Sequence, residues 1–288
     1  MHPFMITRWV NLGIFTFAVP PRLLLRHVPR GLELDLLDGD AFVSLVAFDF
    51  RDTRVLGVRW PGYVNFPELN LRTYVRRGEQ RGVVFLREHV SLRLVSWIAR
   101  VFFNENYRIA PLTSLAHKTT DSLEMEWELT GPQRAHRVAI AGCLPATLPQ
   151  ANSPEHYFME LRWGFGSDRH GQTICYEVCH PPWEIYPVRS SALDLDWGQV
   201  YGPEWRFLNG AEPFCKVLAA GSEVLVYPSV HRNGRTASSC TASRAMPRLN
   251  GAAAGLKCHR LHGIVPETPV LPREYPAGKT VQTQQQGF

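Results

Sequence analysis

The segment Phe66–Val75 (FPELNLRTYV) carries polar side chains of complementary chemistry at alternating positions. If it forms a β-strand, these side chains share one face, because successive residues in a strand point to opposite sides of the sheet. A carboxylate can exchange a proton, a guanidinium can bind a carboxylate, and an amide and a phenol can orient a ligand. The residues of this first candidate site are Glu68, Asn70, Arg72 and Tyr74.

The alternation alone fits two environments for this face. On a solvated strand, Glu68 and Arg72 would form cross-strand ion pairs at the surface. Phe66 also falls on this face, and a Phe and a Tyr together are unusual on a purely wet surface. Inside a closed barrel, polar side chains have to satisfy one another's hydrogen bonds, which a Glu-Asn-Arg-Tyr set can do. Both interpretations stay open on the pattern alone.

Two further segments carry candidate ligand-binding residues. In the HPPWE segment at residues 180–184, the prolines predict a rigid corner in which His180 either accompanies a packed Trp183 or lines a cavity. Arg162 and Glu160 can reach the same cavity, although taken alone they look like surface charges.

Common catalytic and metal-binding signatures are absent from the sequence. It contains no GxSxG, HExxH or Walker motif and no GxGxxG after a predicted strand. The pattern nearest to a metal site is Cys175-x3-Cys179-His180. On a strand the two cysteines share a face and the histidine points away from it, so the three do not converge on an ion. We therefore predict no metal site and no cofactor.

The periodicity along the first 230 residues predicts many short strands with few helices. Asp38-Gly39-Asp40 is a tight-turn signal that predicts a hairpin between Leu32–Leu37 and Ala41–Phe50. Phe66–Val75 and Val83–Leu92 predict a second hairpin around the turn at 77–82. Further predicted strands are Trp9–Val19, Arg108–Leu115, Ser122–Leu129, Arg134–Ala141, Thr173–Cys179 and Glu223–Tyr227, and the predicted helices are Pro21–Val28, Arg93–Phe103 and Glu155–Arg162. This order is typical of an antiparallel barrel or a strongly curved sheet.

The charge distribution excludes a nucleic-acid-binding body. The net charge is +5, but residues 231–288 hold eight Lys or Arg against two Asp or Glu. Residues 1–230 therefore hold 23 basic and 24 acidic residues, which predicts no phosphate-binding face. The terminal segment 231–288 lacks periodicity and is rich in small and polar residues, so we expect a low-complexity, disordered tail after one domain at 1–230.

Cysteine usage and hydropathy predict a cytoplasmic protein with no membrane segment. The six cysteines are scattered without a paired framework, which in a chain of 288 residues is typical of reduced thiols. The apolar run Trp9–Val19 is too short to span a bilayer and is followed by no small-residue cleavage site. We interpret it as a buried strand.

Several of these motifs, in order, resemble the bacterial YqjF-like family, known as domain of unknown function 2071, of the acetoacetate decarboxylase-like superfamily. The resemblance covers roughly residues 6–230. The motifs are Trp9 and the strand after it, VPRGLELD at 28–35, GDAFVSLV at 39–46, the Glu-x-Asn-x-Arg-Thr-Tyr-Val core of Phe66–Val75, GVVFL at 82–86, Glu160-x-Arg162 and His180-x-x-Trp183. It implies a mainly β (α+β) fold with a cone-like, closed antiparallel β-barrel that encloses a small-molecule cavity.

The resemblance also implies a chemistry that this chain departs from. In the decarboxylases of the superfamily, a lysine with a lowered pKa forms a Schiff base with a β-keto acid. Here the corresponding segment, residues 105–109, reads ENYRI and contains no lysine. Arginine cannot take its place, because a guanidinium stays protonated. We therefore do not expect a Schiff-base decarboxylase.

Two hypotheses follow for the function. In the first, the barrel binds a small organic carboxylate or keto compound and acts on it by acid/base chemistry, with Glu68 as general acid/base and Arg72 on the carboxylate. The residues that would orient the ligand or lie at the cavity rim are Asn70, Tyr74, Tyr107, Arg162 and His180. In the alternative, the protein is a non-catalytic binding or structural module in which Glu68 and Arg72 form an internal ion pair.

Overall fold

The computed structural model describes residues 2–92 and 107–231, which are built mainly from β-strands. The strands are β1 (Met5–Val19), β2 (Glu33–Leu34), β3 (Ala41–Val55), β4 (Phe66–Arg77), β5 (Gln80–Val90), β6 (Tyr107–Ile109), β7 (Leu112–Lys118), β8 (Ser122–Thr130), β9 (Ala135–Cys143), β10 (Trp163–Ser167), β11 (Thr173–Cys179), β12 (Ile185–Tyr186), β13 (Val188–Asp194), β14 (Cys215–Val226) and β15 (Val230–His231). The helices are α1 (Pro21–Leu24), α2 (Pro154–Met159) and α3 (Trp197–Val200), with 3-10 segments at Leu25–His27 and Pro203–Leu208. None of these helices is long and apolar enough to cross a membrane.

The strands form two sheets. The larger one has the order β12-β14-β1-β3-β4-β5-β10-β11-β15, with β2 on β4 and β6 on β5, and β14 also pairs with β11. Most neighbours are antiparallel, while β6 and β10 run parallel to β5. The smaller sheet has the order β13-β9-β8-β7. These pairings confirm the predicted mainly β fold with few short helices, and the closed, cone-like barrel stays a prediction.

Strand β4 divides its side chains between two apolar cores. Leu69 and Leu71 belong to a core that also contains Trp127 of the smaller sheet. Phe66 and Tyr74 belong to a second core on the opposite face of β4. Because alternate residues of a strand point to opposite faces, the polar residues between Phe66 and Tyr74 share the side of this second core. The face is therefore buried, and the solvated-strand interpretation is wrong.

The two predicted hairpins have different outcomes. β4 and β5 pair antiparallel from Arg77 and Gln80 onward, which confirms the second hairpin. Asp38 and Gly39 both have positive φ, so the predicted tight turn is present. It is closed only by an isolated bridge between Leu37 and Asp40. β2 pairs with β4 instead of β3, because both edges of β3 are already occupied by β1 and β4. The prediction of a hairpin between these segments was wrong.

Several other elements appear where the sequence predicts them. The short helix after Pro20, the helical turn in α2 and the strands β1, β8, β9 and β11 are confirmed. The predicted helix at Arg93–Phe103 lies outside the described residues, as does the tail beyond residue 231. The domain boundary at residue 230 therefore stays a prediction.

Gly221 marks the closest backbone approach between β1 and β14. It pairs with Val10 and has a φ of +80°, and a Cβ atom at this position would lie 1.9 Å from the carbonyl oxygen of Trp9. No side chain fits this distance, so glycine is required there for steric reasons in addition to its backbone conformation.

We predict that Gly221→Ala lowers the free energy of unfolding by about 3 kcal/mol or more, because the new methyl group forces β1 and β14 apart. Gly62 provides a matched control, since its φ is also +80° but a Cβ atom there would meet nothing within 4 Å. Gly62→Ala should cost only the backbone strain of about 1 kcal/mol. Urea unfolding of both variants measures the difference, and equal losses would contradict the steric account.

Candidate functional site

A cavity of about 130 Å³ lies against the second-core face of β4. Most of its wall is apolar and aromatic, with a small group of polar side chains. We call it the β4 cavity. Its ionisable and amide side chains are Glu68, Asn70 and Arg72 of β4, Glu88 of β5, and His180, together with the phenols of Tyr63 and Tyr176. The structure thus brings four of the predicted site residues, Glu68, Asn70, Arg72 and His180, to one cavity.

Glu68, Asn70 and Glu88 form a polar row across two strands. Asn70 Nδ2 donates a hydrogen bond of 2.9 Å to Glu68 Oε1, and Asn70 lies directly opposite Glu88 in the β4–β5 ladder. The exposed fraction of these side chains is 2% for Glu68 and Asn70 and 1% for Glu88. Two buried carboxyl groups therefore flank one amide on the cavity floor.

Glu88 was not among the residues predicted from the sequence, and a β-bulge explains why. Arg72 pairs with Phe85, whereas Leu71 pairs with Arg87, so Leu86 is an extra residue in β5. Beyond this point the side chains of β5 exchange faces. Glu88 consequently enters the cavity, although strict alternation along β5 from Val83 and Phe85 would point it to the opposite face.

Arg72 lies half-buried in the cavity wall without an acidic partner among the described residues. Its Nη2 donates to the main-chain oxygen of Phe158 at 3.1 Å, and its guanidinium carbon lies 5.9 Å from the centre of the Tyr74 ring. Its Nε is buried with no hydrogen-bond partner in the described part of the chain. No ion pair between described residues includes Arg72, so the pairing with Glu68 considered from the sequence is not observed. A guanidinium held in this way can receive an anion.

Tyr74 does not line the β4 cavity, although it shares the face of β4 with the site residues. Its ring packs against Phe158 of α2, and its hydroxyl is hydrogen-bonded to Ser44 Oγ, which in turn is bonded to Thr16. The α2 helix covers this end of the strand. Tyr74 therefore packs beside Arg72 outside the cavity in which it was predicted to orient a ligand.

The other two predicted site residues are Arg162, on the surface, and Tyr107, on β6. Arg162 is largely exposed and pairs with Glu177 on the surface, so it does not line the cavity. The neighbouring Glu160 is half-buried, and its Oε1 has no partner among the described residues. Tyr107 lies beside Glu88 in the parallel β5–β6 pairing, and its side chain is outside the described part of the structure.

His180 forms the end of an aromatic stack at the cavity wall. Its ring lies 3.9 Å from that of Trp183 at an angle of 14°, and Trp183 Nε1 donates to Ser222 Oγ at 2.8 Å. Both features considered for the HPPWE segment are thus present, since Trp183 is buried and His180 lines the cavity. Burial lowers the pKa of His180, the charge of Arg72 lowers it further, and Glu160 opposes the shift. His180 is therefore neutral at pH 7.

Neither described lysine belongs to the cavity. Lys118 is exposed on β7, and Lys216 forms an ion pair of 3.3 Å with Glu212. Among residues 2–92 and 107–231, no group of three His, Cys, Asp or Glu side chains is arranged to hold a metal ion.

Residues 7–223 match the family of uncharacterised conserved proteins known as domain of unknown function 2071. The chain belongs to this family. The sequence resemblance is thereby confirmed. Uncharacterized protein YqjF of Bacillus subtilis (strain 168) is 27% identical over 176 residues, which is 61% of this chain and 72% of that protein.

Solved structures similar to this member of the family include acetoacetate decarboxylase and an acetoacetate decarboxylase-like enzyme. An acetoacetate decarboxylase-like enzyme from Sphingomonas wittichii RW1 matches with a TM-score of 0.54 and 11% identity over 80% of this chain and 94% of that chain. Acetoacetate decarboxylase from Legionella pneumophila subsp. pneumophila str. Philadelphia 1 matches with a TM-score of 0.52 and 14% identity over 78% and 86%. The enduracididine biosynthesis enzyme MppR with bound HEPES has a TM-score of 0.51 at 13% identity over 82% and 88%. At identities of 11% to 14%, these matches show a similar fold and do not show a shared activity.

Behind the polar row, a buried histidine contacts the backbone of β4. His89 lies opposite Leu69 in the β4–β5 ladder, between the two β4 members of the row, and its ring packs edge-on against Tyr201. Burial, reinforced by the charges of Arg87 and Arg108, lowers the pKa of His89 from 6.5 to about 3. The unfolded chain therefore binds a proton below pH 6.5 that the folded protein rejects.

We predict that the protein loses stability as the pH falls from 6.5 towards 4, by up to about 1.4 kcal/mol for each pH unit from His89 alone. His89→Gln should make the free energy of unfolding less dependent on pH in this range, whatever its effect at pH 7. His117→Gln, an exposed site on β7, serves as the matched control and should retain the wild-type slope. Urea unfolding at several pH values measures these slopes, and an unchanged slope in His89→Gln would refute the assignment.

Proposed function

We propose that this protein binds a small organic carboxylate or keto compound in the β4 cavity and acts on it by acid/base chemistry. The observation that carries the proposal is Arg72, a half-buried guanidinium in the wall of an apolar cavity with no acidic partner among the described residues. Partial burial of a cation costs free energy unless an anion compensates its charge. A carboxylate bound to Arg72 would therefore stabilise the site.

Arg72 is suited to hold the carboxylate through two hydrogen bonds. Its Nε has no partner in the described structure, while Nη2 is anchored to the carbonyl oxygen of Phe158. The anchor and the Tyr74 ring fix the plane of the guanidinium, which favours a planar, bidentate anion. His180, neutral at pH 7, lies at the same end of the cavity. Its Nδ1 donates to the main-chain oxygen of Pro181 at 2.9 Å, so its Nε2 can accept a hydrogen bond from a ligand.

In this proposal Glu68 exchanges the proton. Its carboxyl group is buried, and the hydrogen bond from Asn70 fixes its orientation. Glu88, on the other side of Asn70, provides a second carboxyl group that can share or relay a proton. Tyr107, placed beside Glu88 by the β5–β6 pairing, remains a predicted ligand-orienting residue.

The fold is compatible with this class of ligand but does not supply the covalent chemistry. A structure of MppR in complex with pyruvate has a TM-score of 0.50 to this chain at 12% identity. Schiff-base formation needs an amine in the cavity, and Lys118 and Lys216 are not there. The proposed chemistry is therefore proton transfer without a covalent enzyme–substrate intermediate. The cytoplasmic location and the function without cofactor or nucleic acid stay predictions from the sequence.

We predict that Arg72→Ala weakens the binding of carboxylates by about 10- to 100-fold, because a charge-assisted hydrogen bond is lost. Glu68→Gln should retain binding and lose turnover, since the amide keeps the shape of the carboxyl group but cannot take up a proton. Calorimetric titration with keto acids, hydroxy acids and acyl compounds, followed by an assay of turnover for those that bind, measures both effects.

Arg76→Ala is the matched control for charge loss on the same strand, because Arg76 is exposed at the end of β4 and pairs with Glu33 only at 3.5 Å. It should bind carboxylates like the wild type. Binding without turnover of any compound by the wild type would favour the non-catalytic binding module. Carboxylate binding that is equal in wild type and a folded Arg72→Ala would refute the proposed site.

A further inference from the structure

We infer that the ligand is a carboxylate that carries one aromatic ring, as opposed to a short aliphatic keto acid. This inference rests on the proposed function, because it uses Arg72 as the carboxylate-binding group. It adds the identity of the apolar part of the ligand, which the composition, size and layout of the cavity wall determine.

The wall of the β4 cavity is unusually aromatic. Eleven of the 27 described lining residues are Phe, Trp or Tyr, whereas these types make up 11% of the whole chain. A keto acid of three or four carbons needs polar partners on most of its atoms and gains little from such a wall. An aromatic ring gains both burial and favourable edge or face contacts with neighbouring rings.

The volume of the cavity agrees with one ring. An apolar cavity of about 150 Å³ in another protein stays dry and binds benzene. The β4 cavity has about 130 Å³. A ligand without an apolar group would leave part of this space without contacting atoms, and the lining side chains would lose those dispersion contacts.

The aromatic residues form a continuous surface beside the polar row. Phe50 and Phe66 stack at 4.5 Å and 16°, and Trp9 contacts Phe48 at 5.1 Å. Phe48 pairs with Glu68 in the β3–β4 ladder, so this surface begins directly next to the proposed proton-exchanging group.

The surface continues to the carboxylate-binding end of the cavity. Trp183 lies 6.1 Å from Trp9 and stacks on His180, whose pKa is affected by Arg72. On the opposite side, Phe85 pairs directly with Arg72. Arg72 is four residues from Glu68, about 13 Å of strand. A single ring beside a carboxylate can therefore contact aromatic side chains while its carboxylate reaches Arg72.

Three compounds that differ by one group each test the inference by calorimetric titration of the full-length protein. Phenylpyruvate and pyruvate share the keto acid and differ in the phenyl group, while phenylacetone has a methyl group in place of the carboxylate of phenylpyruvate. We expect phenylpyruvate to bind on the order of 100-fold more tightly than pyruvate, from burial of the ring. Phenylacetone should bind more weakly than phenylpyruvate by the factor that Arg72→Ala removes.

Two variants separate the ring site from general effects on folding. Phe48→Leu removes one ring from the wall and should weaken phenylpyruvate binding several-fold while leaving pyruvate unchanged. Phe17→Leu makes the same substitution in the other apolar core and should change neither affinity. If Phe48→Leu does not fold, the comparison of the three compounds on the wild type still decides.

The outcomes distinguish this inference from the proposed function. Pyruvate binding as tightly as phenylpyruvate, with both lost in Arg72→Ala, would overturn the aromatic ligand and leave the carboxylate site intact. Phenylacetone binding as tightly as phenylpyruvate would overturn the inference, because the carboxylate would then contribute nothing. Failure of both keto acids to bind would refute the proposed function together with the inference.

Discussion

The β-bulge at Leu86 determines which side chains of β5 enter the cavity. An uninterrupted ladder from the Arg77–Gln80 pair would bring Arg87 opposite Asn70, whereas the extra residue brings Glu88 there. Without it, two cations would face the cavity through Arg72 and Arg87, and the second carboxyl group would lie in the core between the sheets. The polar row and the chemistry proposed for it depend on this single register shift.

The same shift arranges the layer behind the site. Arg87, turned away from the cavity, donates to the carbonyl oxygen of Val200 at 2.9 Å, and His89 packs against Tyr201. Burial of these groups raises the pKa of Tyr201 well above its usual value and keeps His89 neutral. The cavity floor therefore rests on side chains that keep one protonation state near pH 7, which would confine the proposed proton exchange to the cavity side of the sheet.

Sequence reasoning identified the parts of the site that depend on local alternation and missed those that depend on pairing between strands. The alternation in Phe66–Val75 correctly predicts that Glu68, Asn70 and Arg72 share a face, because a strand has a strict period of two. Glu88 was missed because a bulge leaves no local signal. Tyr74 and Arg162 were predicted to contact the ligand. A shared strand face does not reveal that α2 covers Tyr74, and a resemblance does not reveal that Arg162 pairs with Glu177 on the surface. For the same reason the turn at Asp38-Gly39 was predicted correctly and the pairing of its flanks was not.

The central claim is that Arg72 receives the carboxylate of the ligand, and the resonance of its Nε–H group tests this most directly. This group has no hydrogen-bond partner among the described residues, so a bound carboxylate should change its chemical environment strongly. In a ¹⁵N-labelled sample, the signal missing from Arg72→Lys identifies Arg72. The account predicts that this signal shifts in a saturable manner on titration with a carboxylate ligand. A ligand that binds without moving it, or that moves only the signals of exposed arginines, would contradict the account.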